Sequence, residues 1–149
     1  MRLGARGRYA VMAMTDLASR ESALGEGRAV ALADIAARQE ISLSYLEQLF
    51  SRLRRRGLVV SARGPGGGYR LAKSAADTMI SEIVLAVDEP LRATRCSAKS
   101  VRGCMSRGER CMTHDLWEEM GRQIQGYLAS VSLADVIEGR LGQSATVAA

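Results

Sequence analysis

A mainly α-helical chain with one small β-hairpin is what this sequence predicts, and three observations predict it. Hydrophobic residues fill 47% of the 149 positions but aromatics only 4%, so the core is built from Leu, Val, Ile, Ala and Met, which favours helices. Apolar residues recur at helical spacing through ISLSYLEQLFSRLRRRG (41–57). One cluster of glycine and proline, RGPGGG (63–68), separates two short β-type runs. At this length the chain is one domain, or one domain with an added oligomerisation element.

In chain order, a first helix is expected from Arg8 to about Arg20, with Tyr9, Met12, Ala13 and Leu17 facing inward. A loop with Gly25 and Gly27 follows, then a short helix over Ala31–Gln39 that buries Leu32, Ile35 and Ala36. Ser42 is placed to cap the next helix, Leu46, Leu49, Phe50 and Leu53 form its stripe, and Gly57 stops it. Its other face carries Ser44, Tyr45, Glu47, Gln48, Ser51, Arg52 and Arg55. LVVSA (58–62) and YRL (69–71) read as strands joined by the glycine turn. Two short helices, a tight turn, a helix with a polar face and a hairpin make a winged helix-turn-helix. A phosphate-cradling loop is disfavoured for the glycine cluster, because an apolar strand follows it where a helix and a Gly-Lys-Ser/Thr ending would be needed; a plain tight hairpin without a ligand is the stronger alternative.

Beyond the wing, Ile80, Ile83, Val84 and Val87 mark another helix, ending near Pro90. An irregular loop follows. Thr113 is then expected to cap a long helix with Leu116, Met120, Ile124, Tyr127, Leu128 and Val131 on one side. That stripe is read as a dimer contact, with packing inside the chain as its alternative. SLAD (132–135) opens a last short helix, and residues 143–149 form a loose tail. The chain thus divides into a DNA-binding domain (1–90), a ligand loop (91–114), a dimerisation helix region (115–140) and a flexible tail (141–149).

The charge is unevenly spread. Residues 1–70 hold 12 arginines against 6 carboxylates, and residues 92–110 hold six Arg/Lys against Glu109 alone. The remainder is acidic. A basic N-terminal half suits double-stranded DNA as partner. Neither a secretory signal nor a membrane-spanning run is visible, so a cytoplasmic protein is expected, where clustered thiols bind metal more often than they form disulfides.

All three cysteines and the single histidine fall within CSAKSVRGCMSRGERCMTH (96–114), spaced Cys-x7-Cys-x6-Cys-x2-His. Thiolate and imidazole suit zinc or an iron–sulfur cluster. Structural zinc sites use short knuckles, and only Cys111 and His114 are that close. The wide spacing favours a larger iron–sulfur group, with zinc and unligated redox thiols as the other readings. Gly103 and Gly108 let the loop fold, and the surrounding arginines offset negative charge. Cys111 with His114 lacks an acidic orienter or an oxyanion-hole motif, so no enzyme is expected.

MRLGARGRYAVMAM, LADIAARQEISLSYLEQLFSRLRRRGLV, RGPGGGY, AVDEP and the cysteine window together resemble the iron–sulfur cluster assembly regulators, a family of winged-helix transcription factors. The resemblance covers about residues 1–138. It implies a homodimer carrying a [2Fe–2S] cluster on Cys96, Cys104, Cys111 and His114, repressing cluster-assembly genes when loaded and acting at other promoters when empty. The ligand loop is longer than the family's familiar pattern, and the tail shorter. Ser42, Ser44, Tyr45, Glu47, Gln48 and Ser51 would reach base edges or nearby phosphates, while Arg2, Arg52 and Arg55 suit phosphates. In the wing, Arg63 with Gly64, Pro65 and Gly66 would enter the minor groove. The rival readings are a related nitric-oxide sensor with a [4Fe–4S] cluster and a zinc-stabilised interaction module without DNA binding.

Overall fold

Helix α1 (Ala5–Leu24) starts earlier and ends later than its periodicity predicts. Gly4 enters it in an extended conformation, and Gly25, at φ +99°, turns the chain out of it. The computed structural model describes residues 3–25, 27–87 and 103–142; Arg2, Pro90, Cys96 and the tail 143–149 lie outside the described residues. The buried face of α1 is Ala10, Ala13, Met14, Leu17 and Ala18. Tyr9 and Met12, expected inward, are exposed. The physical reason is crowding: the rest of the fold meets α1 on several sides, and the alanines of its buried face let neighbouring backbones approach closely.

Helix α2 (Leu32–Gln39) buries Ile35, with Leu32 and Ala36 packed at the core's edge. Its exit runs through Glu40 in the left-handed region (φ 55°), and the Ile41 amide donates to the Ala36 carbonyl at 3.1 Å. That closure makes the tight turn into α3 (Leu43–Arg55). Ser42 caps α3 as expected, its hydroxyl accepting from the Tyr45 amide at 3.2 Å. Leu46, Leu49, Phe50 and Leu53 are all buried. Each contributes about 1.5–3 kcal/mol by burial, against ~1 kcal/mol for the cap, so packing sets the position of α3 and the cap its starting point.

Strands β1 (Val59–Ala62) and β2 (Gly68–Leu71) pair antiparallel, Val59 opposite Leu71 and Ala62 opposite Gly68. The Gly67 amide donates to the Gly64 carbonyl at 2.8 Å, and Gly66 sits at φ +74° after Pro65, as a type II turn requires. Val30 bridges to Tyr69 with two 2.8 Å backbone bonds, adding a third edge to the wing. A Cβ on Gly68 would collide with the Val30 carbonyl, so this junction needs glycine.

A 3-10 turn (Ala75–Asp77) leads into α4 (Ile80–Ala86). Ile80, Ile83, Val84 and Val87 are buried, as the stripe predicts. Helix α5 (His114–Ser130) packs on α4, and α6 (Leu133–Glu138) returns to α1. Ser132 and Asp135 form the expected capping box at the start of α6. The Ile80 amide donates to the Val131 carbonyl at 2.9 Å and the Leu133 amide to the Thr78 carbonyl at 3.0 Å, so the joint between α5 and α6 is stitched to the start of α4. Val131, placed on the dimer stripe by the sequence, is buried in the chain's own core here, because this stitch pulls it inward. The fold is mainly helical with a two-stranded hairpin. No helix among the described residues is long and apolar enough to cross a membrane.

Candidate nucleic-acid interface and metal centre

Ser44, Glu47, Gln48, Ser51, Arg52 and Arg55 line one shallow depression of about 530 Å³ on the outer face of α3. Ser44, Glu47, Gln48 and Arg55 are exposed; Ser51 and Arg52 are half-buried. These are hydrogen-bonding and charged groups on the helix face turned away from the core, which suits reading of base edges and phosphates. Tyr45 differs from the others. It is half-buried and meets Tyr9 of α1 edge-on, ring centroids 5.9 Å apart, so it also braces the start of α3 against α1. Arg52 lines the same depression while its Nη1 donates to the Val87 carbonyl at 3.4 Å.

The wing tip, Arg63 to Gly66, is exposed. Its position relative to α3 is held from two sides. Phe50 of α3 meets Tyr69 of β2 edge-on at 5.0 Å, and Glu21 of α1 accepts from the Leu71 amide at 2.9 Å. Glu21 carries no signal for this in the sequence, because nothing in a single chain links a helix carboxylate to an amide 50 positions away.

The second site lies at the start of α5. The loop before it folds back on itself through Gly103 N–H to Gly108 O (3.0 Å) and Met105 N–H to Glu109 O (3.0 Å), with Gly108 at φ +86°. A Cβ on Gly103 would collide with the Glu109 carbonyl, which explains the glycine. This fold brings Cys104 Sγ to 2.9 Å from His114 Nδ1. The other side of the imidazole faces Glu118, Nε2 to Oε2 being 3.8 Å. A carboxylate one turn on is the kind of outer partner that orients a ligating histidine. His114 is buried, whereas Cys104 and Cys111 are half-buried.

Two ligands of one tetrahedral ion, with bonds of about 2.3 Å to sulfur and about 2.0 Å to nitrogen, stand about 3.5 Å apart. At 2.9 Å, Cys104 and His114 are therefore hydrogen-bonded, and a shift of a few tenths of an ångström opens the pair to a metal. The donor set fits the soft-metal reading. His114, Asp115 and Glu118 also converge, but Asp115 and Glu118 are exposed and Arg110 reaches Asp115 at 3.8 Å. Sulfur next to imidazole is the more selective chemistry.

Thr113 occupies the cap position of α5, but its hydroxyl does not cap the helix. It accepts from Trp117 Nε1 at 3.0 Å and lies 3.6 Å from Cys111 Sγ. Along α5, Leu116 and Tyr127 are exposed, as is Trp117, which the sequence reading left out; Met120, Ile124 and Leu128 are half-buried.

The sequence profile of Rrf2, described as iron-dependent transcriptional regulator, matches residues 3–139. The chain is 52% identical over 140 residues to the HTH-type transcriptional regulator IscR of Photorhabdus laumondii, covering 94% of this chain and 81% of that one. It is 49% identical to the IscR of Escherichia coli O1:K1, covering 94% and 82%. Among solved structures it resembles T. potens IscR (TM-score 0.71, 33% identity, 94% and 88% covered). It also resembles CymR, the global cysteine regulator of B. subtilis (TM-score 0.75, 27% identity, 93% and 98% covered).

Proposed function

From membership of the Rrf2 family of iron-dependent transcriptional regulators, to which this chain belongs, we propose that it is a homodimer that senses iron–sulfur status and controls iron–sulfur cluster assembly genes. The chain is a DNA-binding transcriptional regulator, and its relatives are named as regulators, not enzymes. The sensing group is a [2Fe–2S] cluster held by Cys96, Cys104, Cys111 and His114. The observation that carries this reading is the approach of Cys104 Sγ to His114 Nδ1 across a loop closed by glycine.

When bound, the cluster supplies a group that is lost when iron is scarce or oxidants abundant. The chain's own residues do the rest. His114 opens α5, so anionic ligands beside it meet the positive end of the helix. Glu118, 3.8 Å behind the imidazole, is near enough to orient it should the two close to hydrogen-bond distance. A histidine ligand leaves a metal once a proton takes the ring lone pair that bound it, so acid would loosen such a site. On the DNA side, Ser44, Glu47, Gln48 and Ser51 address base edges, Arg55 and Arg2 the phosphates, and Arg63 the minor groove beside the wing.

Anaerobic purification with iron, sulfide and zinc analysis and a visible spectrum tests the reading. A reddish-brown protein with about two irons and two sulfides per chain is expected. Cys96→Ala, Cys104→Ala and Cys111→Ala should be colourless yet as helical as the parent by circular dichroism, and His114→Cys should keep colour to lower pH. A colourless, zinc-loaded parent or a fully coloured Cys104→Ala protein would overturn the cluster assignment. Four irons per chain would favour the nitric-oxide sensor instead.

A further inference from the structure

We infer that Thr113 is a positioning residue for the cluster: its hydroxyl donates a hydrogen bond to the Cys111 sulfur, and the indole of Trp117 holds it in that role. The inference rests on Cys111 being a cluster ligand, and it names what tunes that ligand.

Four consecutive residues at the head of α5 make the geometry. The His114 amide donates to the Cys111 carbonyl at 3.1 Å, which closes a turn over residues 111–114. Met112 is fully exposed on this turn, while Thr113 Oγ1 lies 3.6 Å from Cys111 Sγ. Thr113 stands where a helix is ordinarily capped. Its backbone, at φ −103° and ψ 7°, is outside the extended region that a capping residue uses, and its hydroxyl does not cap α5. Instead Trp117, one turn on, donates its Nε1–H to that hydroxyl at 3.0 Å. The Trp117 backbone amide donates to the Thr113 carbonyl at 3.2 Å, so the two residues are joined twice.

Donor chemistry sets the direction of each bond. An indole N–H can only donate, so Thr113 Oγ1 is the acceptor there and keeps its own hydrogen to give. A sulfur that ligates a metal is a thiolate and carries no hydrogen, so between Thr113 and Cys111 the hydroxyl is the donor. The chain from Trp117 through Thr113 to Cys111 therefore runs one way, and each bond polarises the next. A hydrogen bond to a ligating sulfur draws charge from it. That favours the more negative, reduced state of a cluster and raises its reduction potential.

The test uses the full chain, purified anaerobically with its cluster, as wild type, T113V, T113S and W117F. Each is titrated with dithionite, which supplies the one electron, and its midpoint is read from the visible spectrum. T113V keeps the branched shape and removes the donor. At a fixed potential it should shift the oxidised-to-reduced ratio about tenfold toward the oxidised form, a midpoint lower by about 59 mV. T113S should stay within about threefold of wild type, and W117F, which leaves the hydroxyl but no longer holds it, should fall between T113V and wild type. A threonine that merely starts α5 behaves otherwise: T113V would then keep the wild-type midpoint, and the inference is overturned. W117F at the wild-type midpoint also overturns it, and this variant decides should T113V take up no cluster. The cluster-free protein supplies a readout of its own. Trp117 is the sole tryptophan, so its indole N–H is a single signal in a nitrogen–proton correlation spectrum. Exchange of that hydrogen with water should be about fivefold faster in T113V than in wild type or T113S, as loss of one hydrogen bond implies. Equal exchange overturns the inference. A wild type that binds no cluster removes the functional reading and this inference together, whereas the preceding outcomes remove the inference alone.

Discussion

Glu47 is the acidic side chain in the depression on α3, among Ser44, Gln48, Ser51, Arg52 and Arg55. A carboxylate brought to DNA is repelled by phosphates and loses hydration unless a cytosine N4 amino group donates to it. On the proposed reading it would therefore exclude sites without a suitably placed cytosine. Glu47→Ala in a cluster-free Cys104→Ala background should gain about tenfold or more at sites otherwise bound by the loaded form, since one base contact discriminates by about 1–3 kcal/mol. Titration of both proteins on both site classes at one salt concentration checks this; equal weakening everywhere would make Glu47 a structural residue. The composition of this face was legible in the sequence because a 3.6-residue period assigns faces without any knowledge of the partner element. What the side chains touch was not legible. Tyr45 meeting Tyr9 and Arg52 meeting Val87 depend on how α3 lies against α1 and α4, and no local pattern encodes that packing. The cysteine window was legible for the opposite reason, since its residue types are chemically rare and close in sequence.

Between elements, α1 and α2 are locked by a buried carboxylate. Asp16 accepts from Arg38 Nη2 at 2.7 Å and Nε at 3.0 Å, and from Gln39 Nε2 at 2.8 Å. Burial alone would raise the Asp16 pKa, but the bonds from Arg38 and Gln39 and the charges of Arg38 and Arg20 outweigh it and hold the pKa below its ordinary 3.8. A carboxyl with a depressed folded pKa stabilises the fold fully above its unfolded pKa, and that stability fades as pH falls through the folded value. Asp16→Asn should cost about 2–3 kcal/mol at pH 7, toward the low end for breaking a buried pair because the Arg38 side chain is 29% exposed. The deficit against wild type should shrink below about pH 4. Urea unfolding of both proteins at pH 7 and pH 3 measures it, and a deficit independent of pH would show that the charge of Asp16 is not what matters. This lock was invisible beforehand, because Asp16 and Arg38 are ordinary charged residues 22 positions apart. The helices themselves were visible wherever one face was buried, as in α3 and α4. On α1 the helix and its inward Ala13 and Leu17 were legible, but Tyr9 and Met12 were misplaced, because contact on several sides replaces a single stripe with a band rich in alanine.

At the scale of the whole molecule, α5 is the element whose apolar residues are least used by its own chain. Only His114 and Gly121 along it are buried, while Leu116 is 58% and Tyr127 48% exposed. An amphipathic helix of 17 residues gains its stability from covering such a face, and a second copy of the chain offers a matching stripe under two-fold symmetry. The far end of α5 is anchored, because Val131 is buried and bonded to Ile80. Pairing two α5 helices would therefore fix the separation of two α3 helices, as a palindromic site with half-sites about 34 Å apart demands. Ile124→Glu with Leu128→Lys should convert the dimer to monomer in sedimentation, since each side chain is half-buried within the chain and loses its remaining cover. DNA affinity should fall by about 100-fold or more, because a lone half-site contributes few contacts and the second no longer binds at high local concentration. The visible spectrum should stay, because both residues lie two or more turns beyond His114. A dimer that survives the double substitution would move the interface elsewhere, and a dimer lost with DNA affinity unchanged would separate DNA reading from two-fold symmetry.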